Sequence, residues 1–242
     1  MRLAPRGDRT RMGVALAIVA AVAIALGTAC GNGLFQQYEY EEELYLSLDG
    51  SATLYVNGSI AALNALRGQA FAADASARAF ESYYTAPGAE VARVTFSRRN
   101  DRRYVHLRLH VADVRHLGRM PGFAWSSYEL LREGDVYVYR QRVGLTPPTA
   151  AVAPWRGDEL VAFRLHLPSK VVYHNVDRVR RGNILAWEQS LADRRAGRPI
   201  EIETRIEAQS ILYRTLGLFG AAILLVAVTF GAVLWWVVRS GD

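Results

Sequence analysis

The sequence is short of the groups that most protein chemistry uses. Its 242 residues include one cysteine, Cys30, so no intrachain disulfide can staple the fold. Lys170 is the only lysine among 29 basic residues. That bias reads as the codon usage of a GC-rich genome and not as a phosphate-binding signal. No G-x-S-x-G, no H-E-x-x-H and no phosphate-binding glycine loop occurs. Gly31-Asn32-Gly33 opens no helix after a strand, so it is no dinucleotide motif. Charge of one sign is also lacking over most of the chain. The formal charge is +6, yet residues 31–210 hold 23 basic and 21 acidic groups. Arg2, Arg6, Arg9 and Arg11 against Asp8 supply much of the excess, which leaves no basic face for nucleic acid. The expectation is a non-enzymatic protein without cofactor or metal.

Two long apolar runs are present. Residues 14–26, VALAIVAAVAIAL, are short for a spanning helix and suit the core of a signal peptide, with the arginines before them as its basic region. Gly27-Thr28-Ala29 supplies the small residues a signal peptidase needs, and Cys30 follows. The stretch resembles a bacterial lipobox, with Gly27 where leucine is usual. That resemblance implies a diacylglycerol on the Cys30 thiol. Ordinary cleavage after Ala29, or an uncleaved anchor running to about Phe35, are the alternatives. All three send the next segment out of the cytoplasm. The second run, residues 215–238, is uncharged for 24 residues and long enough to span a bilayer. Trp235 and Trp236 sit where an interfacial aromatic belt would lie, with Arg239 beyond them. Ala227 and Gly231, four apart, match the small residues of close helix contacts but are common in membrane helices. The expected organisation is a signal peptide or anchor over residues 1–29, an extracytoplasmic domain over 30–210, a transmembrane helix over 213–238 and a cytoplasmic tail over 239–242.

Between the runs the pattern is α+β. Residues 37–48 alternate, with Tyr38, Tyr40, Leu44, Leu46 and Leu48 on one face and Glu39, Glu41, Glu43 and Ser47 on the other. Asp49-Gly50 signals a hairpin to ATLYV. Residues 59–67 suit a helix capped by Ser59 and stopped by Gly68, and residues 74–84 a second capped by Asp74. Strands are expected at 90–97, 103–111, 128–131, 136–142, 160–167, 183–189 and 200–208, with a helical turn at 113–117 and a proline-rich connection at 145–154. The predicted fold is an antiparallel β-sheet with two inserted helices, plus the C-terminal transmembrane helix.

Candidate sites are few. His106 and His110 lie four apart, but in a strand pattern that spacing is about 13 Å, too far for one metal ion. The glutamates of EYEEE read as a solvated face. The aromatic residues invite a different reading: Tyr83 and Tyr84 end the second helix, and Phe123 and Trp125 lie in an irregular segment. Core packing accounts for such residues, and so does a groove for an acyl chain with Arg119 at its mouth to meet an anionic headgroup.

Residues 163–187 read FRLHLPSKVVYHNVDRVRRGNILAW. A strand ends in Pro168-Ser169-Lys170, Asn175 follows, Gly182 precedes a strand carrying Trp187, and Gly197-Arg198-Pro199 leads to the last strand. This order resembles the LppM-type domain of bacterial lipoproteins, with Ser169 in place of the usual glycine. The resemblance implies an α+β envelope domain in contact with lipid or glycolipid and no established catalytic residues. The expected partners are therefore the bilayer, a lipid or glycolipid ligand, or a membrane protein. A scaffold within a membrane complex is the alternative, and a hydrolase whose groups converge in space is the third.

Overall fold

The structure, a computed structural model, describes residues 38–144, 159–176 and 179–240. Cys30, the apolar run at 14–26 and the proline-rich connection at 145–154 lie outside the described residues.

The chain begins with a hairpin, β1 (Tyr38–Leu46) and β2 (Ala52–Ser59), closed at Asp49-Gly50, where Gly50 has φ 92°. Helix α1 (Ile60–Arg67) starts as expected. Ser59 Oγ accepts from the Ala62 amide, and Gly68 ends the helix in the left-handed region. Helix α2 is shorter than expected, Ala77–Tyr84, and its N-cap is Ser76, not Asp74. The next hairpin pairs β3 (Ala89–Arg99) with β4 (Arg102–Val111) through Asn100 and Asp101, both at positive φ, as a tight primed turn requires. A 3-10 turn (Val114–Arg119) leads to β5 (Ser126–Glu133) and β6 (Val136–Val143). Then come β7 (Leu160–His166), β8 (Ser169–His174), β9 (Val179–Arg181), β10 (Ile184–Ser190), the short α3 (Leu191–Arg195), β11 (Ile200–Ser210) and α4 (Ile211–Ser240).

The α+β class stands, with both helices inserted after the first hairpin, but the strands form two sheets instead of one. Seven run in the order β3-β4-β2-β1-β7-β10-β9 and four in the order β5-β6-β11-β8. All pairs are antiparallel except β1 with β7. Alternation fixes which face a side chain takes and not which strand lies alongside, so neither the second sheet nor the parallel pair is visible in it. The core joins the two sheets: Leu44, Leu54, Phe163 and Trp187 from the larger, with Tyr128, Tyr139, Ile202 and Ile206 from the smaller. Ile200, Ile202 and Ile206 of β11 point inward as expected, with Glu201, Glu203 and Glu207 on the opposite face.

The residues of the LppM-type pattern act as structural joints. Pro168 stands between β7 and β8, and Gly182 turns the chain at φ 44°. Asn175 Oδ1 accepts from Trp187 Nε1 and from the Glu203 amide, both at 3.0 Å, and its Nδ2 donates to the Glu201 carbonyl at 2.8 Å. One side chain thereby ties β10 of the larger sheet to β11 of the smaller.

Candidate functional site

The EYEEE segment does not form the solvated face expected of it. Glu39 is fully buried and Glu42 is 4% exposed. Glu42 has the parity of Tyr40 and Leu44, so the pleat turns it into the core. Glu39 shares the outward parity of Glu41, but local partners cover it. Ser59 Oγ donates to it at 2.5 Å, Tyr104 Oη at 2.8 Å, and Arg102 lies over it at 2.7 Å. Glu41 and Glu43 do lie on the outer face, paired with Arg164 and His166.

Glu42 meets Arg67, the last residue of α1. Arg67 Nη2 lies 2.7 Å from Glu42 Oε1, and both side chains are almost wholly buried. Tyr40 Oη also donates to Oε1, at 2.5 Å, and Tyr128 Oη and Gln141 Nε2 approach Oε2 at 3.4 Å. Tyr139 Oη donates to Gln141 Oε1, which orients that amide. Arg67 Nη1 donates to the Gly122 carbonyl and to Tyr84 Oη. Rings enclose the guanidinium carbon: Trp125 at 4.3 Å, Tyr40 at 4.7 Å, Phe123 at 5.6 Å and Tyr84 at 6.0 Å. Such faces attract a cation, most strongly where water is excluded.

Burial pushes the Glu42 carboxyl up, to about 8, against the pull of Gln141, Tyr128 and Arg194; the guanidinium at 2.7 Å acts in the same sense as those three. Burial likewise lowers Arg67 and lifts Tyr84 to about 12. A second buried arginine, Arg194 of α3, faces the Trp125 ring and donates to the Arg198 and Gly144 carbonyls. Beside Glu42, between the sheets, lies a cavity of about 10 Å³ lined by Leu44, Tyr128, Phe163, Trp187 and Ile202. That is room for about one water molecule.

Four of the aromatic residues singled out from sequence come together here. Tyr83 and Tyr84 are in edge contact at 5.2 Å, Tyr84 and Phe123 at 5.5 Å, and Trp125 meets Tyr40 at 5.7 Å. Tyr84 and Phe123 are fully buried, whereas Tyr83 and Trp125 are partly exposed. Arg119 is exposed at the end of the 3-10 turn. Sequence reasoning missed the charged centre, Glu42 and Arg67. Parity along β1 places Glu42 inward, but nothing in the sequence ties it to the end of α1. His106 and His110 share the outer face of β4. His106 bonds to Asn57 Oδ1 at 2.9 Å and Ser97 Oγ at 2.7 Å.

No protein-family profile matches this chain, and no curated protein matches it by sequence. Among solved structures, the folded domain of LppM from Mycobacterium tuberculosis, determined by NMR, is similar at TM-score 0.40 and 18% identity. The match covers 73% of this chain and 94% of that one.

Proposed function

We propose that this chain is a non-enzymatic binding domain held against the outer face of the cytoplasmic membrane, with a lipid, a glycolipid or a membrane protein as its partner. The observation that carries this reading is the join between β11 and α4. The strand ends at Ser210 and the helix starts at Ile211, with no linker between them. Residues Thr215–Trp236 have a mean hydropathy of 2.4 and none of them is buried against the domain. One such helix suffices to cross a bilayer. Its junction leaves the domain little freedom to diffuse away, so a membrane-borne partner is met at high effective concentration. For a lipid ligand, Tyr83 and Trp125 are the accessible members of the aromatic group, and Arg119 is exposed at the end of the 3-10 turn. Tyr84 and Phe123 are fully buried behind them.

A protein partner is favoured by a separate feature. The edge strand β8 exposes Val172 (57%) and Tyr173 (47%), the kind of surface to which another chain adds a strand.

The test is topology with processing. A reporter active only in the cytoplasm should work when fused after Asp242 and fail when inserted near Pro147. The intact mass of the purified chain should begin at Cys30 and carry a diacylglycerol, and Cys30→Ala should abolish both features while α4 keeps the protein in the membrane. The reverse reporter pattern refutes the localisation. A mature chain that keeps Met1 replaces lipidation with an uncleaved anchor.

A further inference from the structure

The outer face of the larger sheet carries a charge imbalance that the fold itself creates. Across β1 and β7 the carboxylates have partners. Glu41 pairs with Arg164, and Glu43 takes His166 at 2.5 Å, with the His166 ring stacked on Tyr45 at 3.9 Å. Across β3 and β4 Glu90 faces His110, but the next outward pair is two arginines. Arg93 and Arg108 are direct cross-strand partners, both exposed. Among the described residues neither has a carboxylate partner; Arg108 lies over the Tyr55 ring at 5.8 Å. Like charges directly opposed on a sheet destabilise it.

A bulge makes this arrangement. The register steps from Val91↔Leu109 to Arg93↔Arg108, so Ala92 is the extra residue. In a regular strand Arg93 would have the inward parity of Val91. The bulge turns it outward, and bulges often re-aim a side chain beside a site. Arg93 and Arg108 border an open trough of about 380 Å³, together with Tyr55, Asn57, Thr95 and His106. The His106 ring occupies Asn57 Oδ1, which leaves the Asn57 amide NH2 as a donor toward the trough. Among the described residues the Thr95 hydroxyl has no partner either.

The geometry points to an oxyanion site of the phosphate class in this trough. Arg93 and Arg108 bind the charged oxygens, and Asn57 and Thr95 donate to those remaining. Paired guanidinium donors suit phosphate because each presents a planar fork. The site lies on the face of the sheet opposite Glu42 and Arg67 and does not depend on the membrane tether. The same chemistry is offered by a free phosphate compound and by a phosphate headgroup.

The test uses the full chain in nanodiscs of neutral phosphatidylcholine. Its Tm is followed while inorganic phosphate is titrated against sodium chloride at matched ionic strength. A second arm replaces part of the lipid with phosphatidic acid in phosphate-free buffer. A ligand that binds only the folded state raises Tm. A rise with inorganic phosphate assigns a soluble phosphate compound, and a rise only with phosphatidic acid assigns a headgroup. Arg93→Gln and Arg108→Gln should each weaken binding about tenfold or more, the scale of one lost hydrogen bond to a charged group. Both variants should have an unchanged or higher Tm without ligand, because an opposed like charge is gone. Arg132→Gln, on the smaller sheet, should keep the full response. No rise above the chloride control in either arm overturns the proposal, and so does a full response retained by the double variant.

Discussion

Removing Glu42 is the sharpest probe of the charged centre. Glu42→Ala strips the acceptor from Arg67 Nη2, Tyr40 Oη, Tyr128 Oη and Gln141 Nε2. It also leaves the Arg67 guanidinium buried without its carboxyl partner. Losing one member of a buried pair costs about 3–5 kcal/mol, far more than an exposed pair is worth. For a domain of this size each kcal/mol moves Tm by about 2–4 °C, so Tm should fall by roughly 6–20 °C. Glu42→Leu combined with Arg67→Met, which replaces both charges by apolar groups of similar length, should recover most of that loss. Glu42→Gln keeps the volume and an acceptor and should lose less than Glu42→Ala. The pH dependence gives an independent readout. Glu42 is raised from 4.5 in the unfolded chain to about 8 in the fold. A raised group contributes fully below about 4.5, and its contribution is lost as pH climbs through about 8. The stability of the wild type relative to Glu42→Gln should therefore fall over that window. The assay is thermal and denaturant unfolding of the full chain in detergent, followed by circular dichroism. A Glu42→Ala variant within about 1 kcal/mol of wild type refutes the reasoning, as does a double variant that loses the sum of its parts.

Two further substitutions test how the surrounding structure is held. A Cβ on Gly122 would run into the Tyr84 ring, so Gly122→Ala should destabilise by about 1–3 kcal/mol through overpacking, read as a lower denaturant midpoint at unchanged slope. Trp187→Ala should cost about 3–5 kcal/mol, because the ring is 8% exposed and anchored to Asn175; a hydrogen-exchange measurement should show the loss of protection spreading from β10 into β11.

Local structure is legible in this sequence wherever a single residue type dictates it. Ser59 and Gly68 bound α1 because a hydroxyl must receive the free amide of the first turn and only glycine takes the left-handed stop without strain. Asp49-Gly50 marks a hairpin for the same kind of reason, with Gly50 at φ 92°. The three inward isoleucines of β11 follow from alternation alone. Asp74 misleads because Ser76, two residues on, competes for the same role. The two-sheet arrangement is not legible, since pairing is decided over separations that alternation does not reach. β1 finds β7 more than a hundred residues away, and the bond that crosses from one sheet to the other, Trp187 to Asn175, is one that alternation does not reveal. The charged centre fails for a related reason. Glu42 and Arg67 are each ordinary in their own segments, and only the fold makes them a pair.

Sheet order also determines how firmly the apolar helix α4 is joined to this core. β11 is not an edge strand; it pairs with β6 over eight residues and with β8 on its other side. Fraying such a strand breaks hydrogen bonds on both flanks, so its end is held far better than a terminal loop would be. Asn175 adds a third attachment, binding both the Glu201 carbonyl and the Glu203 amide while it holds Trp187. A load on the apolar helix therefore passes into the centre of the smaller sheet and, through Asn175 and Trp187, into the larger one. A flexible linker would separate the domain from the helix, whereas here the helix follows directly on a central strand. The carboxyl and the water-sized cavity beside it lie where the sheets meet, and Trp187 and Ile202 line that cavity from the two sides. Any change in the packing of the sheets is consequently felt first by the buried Glu42–Arg67 pair.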